Sequence, residues 1–140
     1  MKAINAYKRT AVTTADPMSI LVSLYDGFIG HVEAARLAYQ RGDRAMAGER
    51  TGKAMAIVNE LQACLDDSQD PEFTERLAAV YDFVGQELMK AAFNNDGSNL
   101  GAVTDVMKEL RDAWSEASHQ LRAHFFFNDT ATTEIYTSTG

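Results

Sequence analysis

Hydrophobic positions recur along this chain with a period of about 3.6 residues, which is typical of amphipathic helices, and no segment alternates like a half-buried strand. The first segment, residues 17–40, places five apolar side chains on one stripe: Leu21, Leu24, Tyr25, Phe28 and Val32. Asp16 suits an N-cap, Pro17 suits the first turn, and Gly42 follows a basic last turn. The pattern therefore predicts a long first helix with clear start and stop signals.

Three further segments show the same period and are separated by short polar breaks. Asp43 can cap the second helix, whose predicted stripe is Ala54, Ile57, Val58, Leu61 and Leu65. The break DDSQDP places Pro71 at the start of the third helix, with the stripe Phe73, Leu77, Val80, Tyr81, Val84, Leu88 and Ala91. After NNDGSN, the fourth helix carries Leu100, Val103, Val106, Met107, Leu110, Trp114, Ala117 and Leu121. Because short connections force neighbouring helices to run antiparallel, we predict an all-α fold, an antiparallel up-down-up-down four-helix bundle at 17–124, after a flexible N-terminal arm at 1–16.

The last residues, 125–140, read FFFNDTATTEIYTSTG and break the predicted helical pattern. The part NDTATTEIYT resembles a translated sequencing adapter, and the phenylalanine run resembles a translated poly-T tract. We interpret this segment as a non-native tail that follows a bundle ending near His124, and we expect no function from it. The alternative interpretation is a natural flexible tail.

The first helix is more apolar than one buried face requires. Ile20 lies beyond one edge of its stripe, while Val22 and Ile29 lie beyond the other, so the apolar arc reaches roughly 200°, against somewhat more than 100° for a typical surface helix. The third helix carries three more apolar side chains away from its stripe: Phe83, Met89 and Phe93. Such residues either pack on neighbouring helices or line a groove for an apolar partner segment.

Charge and composition narrow the classes of partner. The 140 residues are 46% hydrophobic and 24% charged, as expected for one ordinary globular domain. A net charge of −7 argues against nucleic acid, because that affinity depends on clustered Lys and Arg. No run approaches the roughly 20 apolar residues of a membrane span, and no signal peptide is evident. With the single cysteine Cys64, interpreted as a half-buried filler, these observations predict a cytoplasmic protein.

The sequence offers little for catalysis or metal binding. A di-iron bundle needs two Glu-x-x-His pairs, and this chain has one, Glu116 with His119. Phosphate loops, nucleophile elbows and haem-attachment motifs are absent from the sequence, and His31 is interpreted as a structural histidine. We therefore predict no catalytic residue, metal or cofactor, and an unrecognised bundle enzyme is the weakest interpretation.

Four stretches resemble the flagellar secretion chaperone family, FliS. The first, INAYKRTAVTTADPMSILVSLYDGFIGHVEAAR, has a tyrosine in the arm, a T-A-x-P helix start and then L-Y-D-G. KAMAIVNELQACLD, LAAVYDFVGQELMKAAFNND and ELRDAW follow in the family's order and spacing, so the resemblance extends from Ile4 to Trp114. One departure is Met18-Ser19, where acidic residues are common after the proline.

The resemblance implies a cytoplasmic export chaperone. Its members bind the disordered C-terminal segment of flagellin, prevent premature polymerisation and aid delivery to the flagellar type III export apparatus, with export-gate components as further partners. A 1:1 complex with flagellin is expected, without nucleic-acid binding or membrane insertion. A helical adaptor or regulatory bundle that binds another amphipathic helix of the flagellar system is the alternative.

The expected partner-binding residues combine the resemblance with the surplus apolar positions. The arm contributes Ile4, Tyr7 and Val12, with Tyr7 in the place of the family's characteristic tyrosine, and these three are expected to shield apolar surface until flagellin replaces them. The first helix is expected to contribute Ile20, Val22, Tyr25 at the edge of the core, Asp26 and Ile29. The third helix is expected to contribute Phe83, Met89 and Phe93.

Overall fold

The computed structural model describes residues 17–139 except 67 and 69, and for 120–139 it describes the backbone only. Four helices follow one another: α1 Pro17–Arg41, α2 Arg44–Ala63, α3 Pro71–Asn94 and α4 Leu100–Thr139. The arm residues Ile4, Tyr7 and Val12, and the predicted cap Asp16, lie outside the described residues. The predicted all-helical fold is confirmed.

Local side-chain chemistry sets the limits of the helices. Asp43 caps α2 as predicted, because its Oδ1 accepts a hydrogen bond from the backbone N–H of Met46 at 3.1 Å. Asp70 caps α3 in the same way, accepting from Phe73 N–H at 3.1 Å, and Pro71 occupies the first turn. Asn95 ends α3 in the left-handed conformation, with φ of 50°.

The four helices form a bundle in which α1 has the largest share of contacts. It packs along α2 on one side and along α4 on the other, while α3 packs on α2 and only lightly on α4. Neighbours in sequence are therefore neighbours in space, consistent with the predicted up-down arrangement. The seam between α3 and α4 is the most sparsely packed of the four helix–helix interfaces.

All four helices contribute to one core. Its fully buried large side chains include Tyr25, Phe28, Val32, Val58, Val84, Leu88, Leu100, Val103 and Met107. Most of the predicted stripes are thus confirmed, and burial of several large side chains at about 1.5–3 kcal/mol each is the main stabilising contribution.

The structure differs from the sequence-based expectation in the length of α4 and in the burial of two α1 side chains. The backbone of α4 remains helical to Thr139, although we expected the helical pattern to break after residue 124; after Gly101, the segment to Thr139 contains no glycine or proline to end the helix. Tyr25 and Ile29 were placed at the edge of the core and outside it, but their side chains are 0% and 5% exposed. α1 is held between two neighbours, so it buries a wider arc than a surface helix does.

Candidate binding pocket

An apolar pocket lies at one end of the bundle. In an up-down arrangement the start of α1, the end of α2 and the start of α3 meet at the same end, and α4 passes alongside. The pocket between them has a volume of about 250 Å³ and is lined by Pro17, Met18, Ile20, Leu21, Leu24, Leu61, Cys64, Leu77, Tyr81 and Trp114. We call this cavity the end pocket. Every helix contributes to its wall.

Polar atoms are concentrated beside the end pocket. The Tyr25 and Tyr81 hydroxyls form a short, buried hydrogen bond that links α1 to α3. The Trp114 Nε1 is buried and forms no hydrogen bond with acceptable geometry in the part of the chain that the structure describes, although it is close enough to Tyr25 to affect its ionisation. Cys64, half-buried as predicted, stands near enough to Tyr81 to influence that hydroxyl.

Burial makes both tyrosine hydroxyls weaker acids than a tyrosine in water. The pKa of Tyr25 is raised because its hydroxyl is removed from water, and the hydrogen bond with Tyr81 and the nearby indole N–H of Trp114 offset only part of this effect. The pKa of Tyr81 is raised further, first by burial and then by the neighbouring Tyr25. Both side chains are therefore neutral at physiological pH and act as structural hydrogen-bonding groups.

Two aromatic rings meet where α3 and α4 approach each other. Phe73 at the start of α3 packs edge-on against Trp114 of α4, with ring centroids 6.0 Å apart and an interplanar angle of 84°. Phe73 is 47% exposed. This contact spans the sparsely packed α3–α4 seam beside the end pocket.

The residues predicted on α1 are distributed among three environments. Ile20 lines the end pocket, together with Leu21 and Leu24, which had been expected in the core and are only partly buried. Val22 faces a small, more polar cleft between α1 and α4, beside Ser118. Tyr25 and Ile29 belong to the core, as described above. The structure thus brings only Ile20 of these predicted residues into the pocket lining.

The three predicted residues on α3 are exposed but do not form one surface. Met89 is 65% exposed and lines a groove of about 390 Å³ between α2 and α3, opposite Met55. Phe93 is 90% exposed and lies further along α3, in a different groove. Phe83 is 43% exposed. The α2–α3 groove shares Tyr81 with the end pocket, so Met89 is the member of this set most directly connected to that cavity.

Asp26 has a structural partner. Arg111 of α4 donates from Nη1 to Asp26 Oδ1 at 3.2 Å, and about two turns of α1 further on Lys108 pairs with Glu33 at 2.9 Å. These two ion pairs lie along the α1–α4 seam. Asp26 is 55% exposed, so its pair contributes little to stability and remains accessible to a partner.

No catalytic or metal-binding constellation emerges among the residues that the structure describes. No group of three His, Cys, Asp or Glu side chains there could hold a metal ion. His31 accepts a hydrogen bond at Nδ1 from Arg50 Nη1 at 3.1 Å, as expected for a structural histidine. In the same part of the chain, no helix is long and apolar enough to cross a membrane.

Sequence reasoning missed much of the end pocket's lining. Met18, Leu61, Leu77 and Trp114 had no predicted binding role, and the last three were assigned to buried stripes. Their common signal is position: each lies near a helix start or end, or opposite one on α4, at the same end of the bundle. Assigning residues to bundle ends as well as to helix faces would have identified them.

The fold and this cavity define a helical-bundle binding protein whose apolar pocket suits a segment of another chain. Residues 1–121 match the family described as Flagellar protein FliS, and the chain belongs to that family. A chaperone family is not an enzyme class.

Curated relatives and a solved structure agree with this assignment. The chain is 30% identical over 118 residues to the flagellar secretion chaperone FliS of Vibrio cholerae, covering 81% of this chain and 87% of the relative. It is 31% identical over 110 residues to that of Salmonella typhimurium, covering 78% and 82%. A crystal structure described as a flagellar chaperone from bacteria superposes with a TM-score of 0.71 at 16% identity, covering 84% of this chain and 98% of that one, which shows the shared fold.

Proposed function

We propose that this protein is a cytoplasmic export chaperone that binds the disordered C-terminal segment of flagellin, in a 1:1 complex, and thereby prevents premature polymerisation and aids delivery to the flagellar export apparatus. The observation that carries the proposal is the end pocket, an apolar cavity of about 250 Å³ in a member of this family. A disordered segment with apolar side chains gains buried area there, and this gain offsets the entropy lost on ordering.

The proposed contact surface starts at the end pocket and continues along the α2–α3 groove. Ile20 and Leu24 would contact an apolar anchor of the flagellin segment in the pocket. Beyond Tyr81, Met55 and Met89 present flexible thioether side chains that can adapt to a second apolar contact. Asp26 and Val22 lie on the α4 side of α1 and would contact the segment where it leaves the pocket.

The N-terminal arm is the proposed cover of the free pocket. Pro17, which lines the pocket, directly follows the arm, so residues 1–16 are attached at its rim. Ile4, Tyr7 and Val12 would shield its apolar wall until flagellin replaces them. Deleting residues 1–12 should then increase binding of a hydrophobic dye and change the affinity for flagellin; unchanged values of both would remove the arm from the proposal.

Calorimetric titration of the full chain with the C-terminal segment of flagellin from the same genome tests the function. A 1:1 complex with a large negative heat-capacity change and a gain of helix is expected. Ile20→Asp places a carboxylate in the pocket wall and should weaken binding at least tenfold while the bundle remains folded. Leu37→Asp is the matched control, because Leu37 is 45% exposed and lies outside the pocket lining. Absence of heat with the wild-type chain would contradict the proposal.

A further inference from the structure

A second groove lies at the opposite end of the bundle from the end pocket, beside the α1–α2 and α3–α4 turns. Its volume is about 300 Å³, and its lining consists of Tyr39, Arg44, Gly48, Ala92, Phe93 and Asn95. We call it the turn-end groove. Phe93 lies about 24 Å further along α3 than Leu77 of the end pocket, from the helical rise per residue. The contact surface proposed for flagellin ends at Met89, about one turn of α3 before Phe93, and its two cavities share no lining residue with the turn-end groove.

The turn-end groove exposes apolar surface next to open backbone. Phe93 is 90% exposed, the highest value among the large hydrophobic side chains that the structure describes. On the facing helix, Gly48 has no atom within 4 Å of the position that a Cβ would occupy. An aromatic wall beside a bare glycine allows another chain to approach closely, and covering Phe93 would remove its ring from water.

The charge of the groove comes from one unpaired arginine. Arg44 is its charged lining residue, and the described residues include no carboxylate within ion-pair distance of it. Elsewhere in the described structure, four basic side chains do form ion pairs: Lys53 with Glu49, Arg76 with Glu72, Lys108 with Glu33, and Arg111 with both Asp26 and Asp112. Two carboxylates nearby in sequence accept backbone hydrogen bonds instead, Asp43 from Met46 and Asp96 from Ser98. The guanidinium of Arg44 is therefore available to an external carboxylate.

We propose that the turn-end groove binds a segment of a second protein that carries an apolar side chain next to a carboxylate. The apolar side chain covers Phe93 and the open backbone at Gly48, and the carboxylate pairs with Arg44. This inference rests on the proposed function only in assigning the end pocket and the α2–α3 groove to flagellin; the turn-end groove shares no lining residue with either, so a second segment has a site of its own. The chaperone then acts as a two-sided adaptor between its cargo and an acidic partner.

A probe peptide tests the chemistry of the groove. The probe is a short synthetic peptide with phenylalanine flanked by glutamates, added to the isotope-labelled full chain, and its twin has glutamine in place of each glutamate. The backbone amides of Gly48 and Asn95 should shift with the acidic peptide, and the twin should bind roughly fivefold more weakly. No shifts, shifts confined to other surfaces, or equal affinity for the two peptides would each overturn the proposal.

Two glycines of α2 provide a matched pair of variants. Gly48→Leu fills the groove with a side chain at a position that has open space, so the fold should persist while the acidic peptide loses at least tenfold in affinity. Gly52→Leu makes the same change one turn later, where no atom lies within 4 Å of the new Cβ and the residue is outside the groove lining, and should leave affinity unchanged. Arg44→Gln should abolish the preference for the acidic peptide. Equal loss in both leucine variants would overturn the proposal.

Two further measurements test the assignment of the groove: the affinity of the variants for the flagellin segment, and the dimerisation of the chain. Gly48→Leu should not alter affinity for the flagellin segment; if it does, the groove belongs to that binding site and the proposal of a second partner fails. If wild-type chain binds the acidic probe but not the flagellin segment, the turn-end groove stands and the flagellin proposal falls. Concentration-dependent dimerisation that Gly48→Leu abolishes and the peptide cannot displace would assign the groove to a second copy instead.

Discussion

The hydroxyls of Tyr25 and Tyr81 hydrogen-bond to each other inside the bundle and so join α1 to α3, two helices that otherwise occupy diagonal positions. Each hydroxyl is the hydrogen-bonding partner of the other, and the two side chains are 0% and 3% exposed. A buried hydroxyl without a partner costs about 1–3 kcal/mol, so the pair fixes how these two helices approach each other below the end pocket.

Removing both hydroxyls should therefore lower the free energy of unfolding by less than the sum of the two single removals. Tyr25→Phe leaves the Tyr81 hydroxyl buried and unpartnered, and we expect the free energy of unfolding to fall by about 1–3 kcal/mol. Adding Tyr81→Phe should recover part of that loss, because two apolar rings replace the polar pair. Urea denaturation of the single and double variants measures the coupling energy. Strictly additive losses would show that the hydroxyls do not interact.

Alkaline pH should unfold the protein through the same pair. An unfolded tyrosine has a pKa near 10, and burial raises the pKa of Tyr25 and Tyr81 in the folded state. Above that pH the unfolded chain loses protons that the folded chain retains, so the stability contributed by the pair is complete below about pH 10 and is lost as pH rises further. Tyrosinate absorbance and circular dichroism should show these two side chains ionising together with helix loss. Their ionisation in an intact bundle would contradict this.

Ile29→Asp separates core from surface on α1. The sequence pattern places Ile29 beyond the edge of the buried stripe, where an aspartate would leave the helices intact. With Ile29 only 5% exposed, the substitution buries a carboxylate without a partner and should destabilise the bundle by several kcal/mol. Val22→Asp is the matched control, because Val22 faces a partly polar cleft. A cooperative melt near the wild-type temperature for Ile29→Asp would contradict the structure's placement.

The helices were predictable because each carried redundant local signals. Asp43 and Pro71 marked helix starts, and heptad-like apolar spacing marked the buried faces, so neither depended on distant residues. Which apolar residues of α1 are buried was not predictable. The sequence of one helix shows how wide its apolar arc is, but not how many neighbouring helices pack against that arc. Ile29 and Tyr25 were misplaced for this reason.

The end pocket was only partly predictable for a related reason. Ile20 stood out as surplus on its own helix, whereas Leu61, Leu77 and Trp114 looked like ordinary core residues on theirs. Their shared cavity depends on how helix ends meet in three dimensions. Phe93 is exposed, as expected for a surface residue. The sequence does not show which end of the bundle carries the pocket, and Phe93 lies at the other end.

At Gly97, the turn between α3 and α4 packs closely against Tyr39 of α1, and an alanine variant probes this contact. A Cβ added there would lie 2.7 Å from Cδ2 and 3.3 Å from Cβ of Tyr39, whose hydroxyl is 3.1 Å from Thr51 Oγ1. Gly97→Ala should therefore displace the ring and lower the free energy of unfolding by about 1–3 kcal/mol. Gly101→Ala is the control: its nearest neighbour is the Arg36 guanidinium at 3.6 Å, and alanine favours the helix. Thermal melts in which both variants match would refute the close contact.

Unequal packing around the bundle sets the order in which its helices separate. α3 rests on α2 but touches α4 only lightly, so the amide hydrogens of α3 should exchange with deuterated solvent before those of α1. Leu77 and Tyr81 move with α3, and they form one wall of the end pocket. If the end pocket holds a partner segment as proposed, local displacement of α3 would open its wall at a small fraction of the free energy of global unfolding, and the rest of the bundle would stay folded.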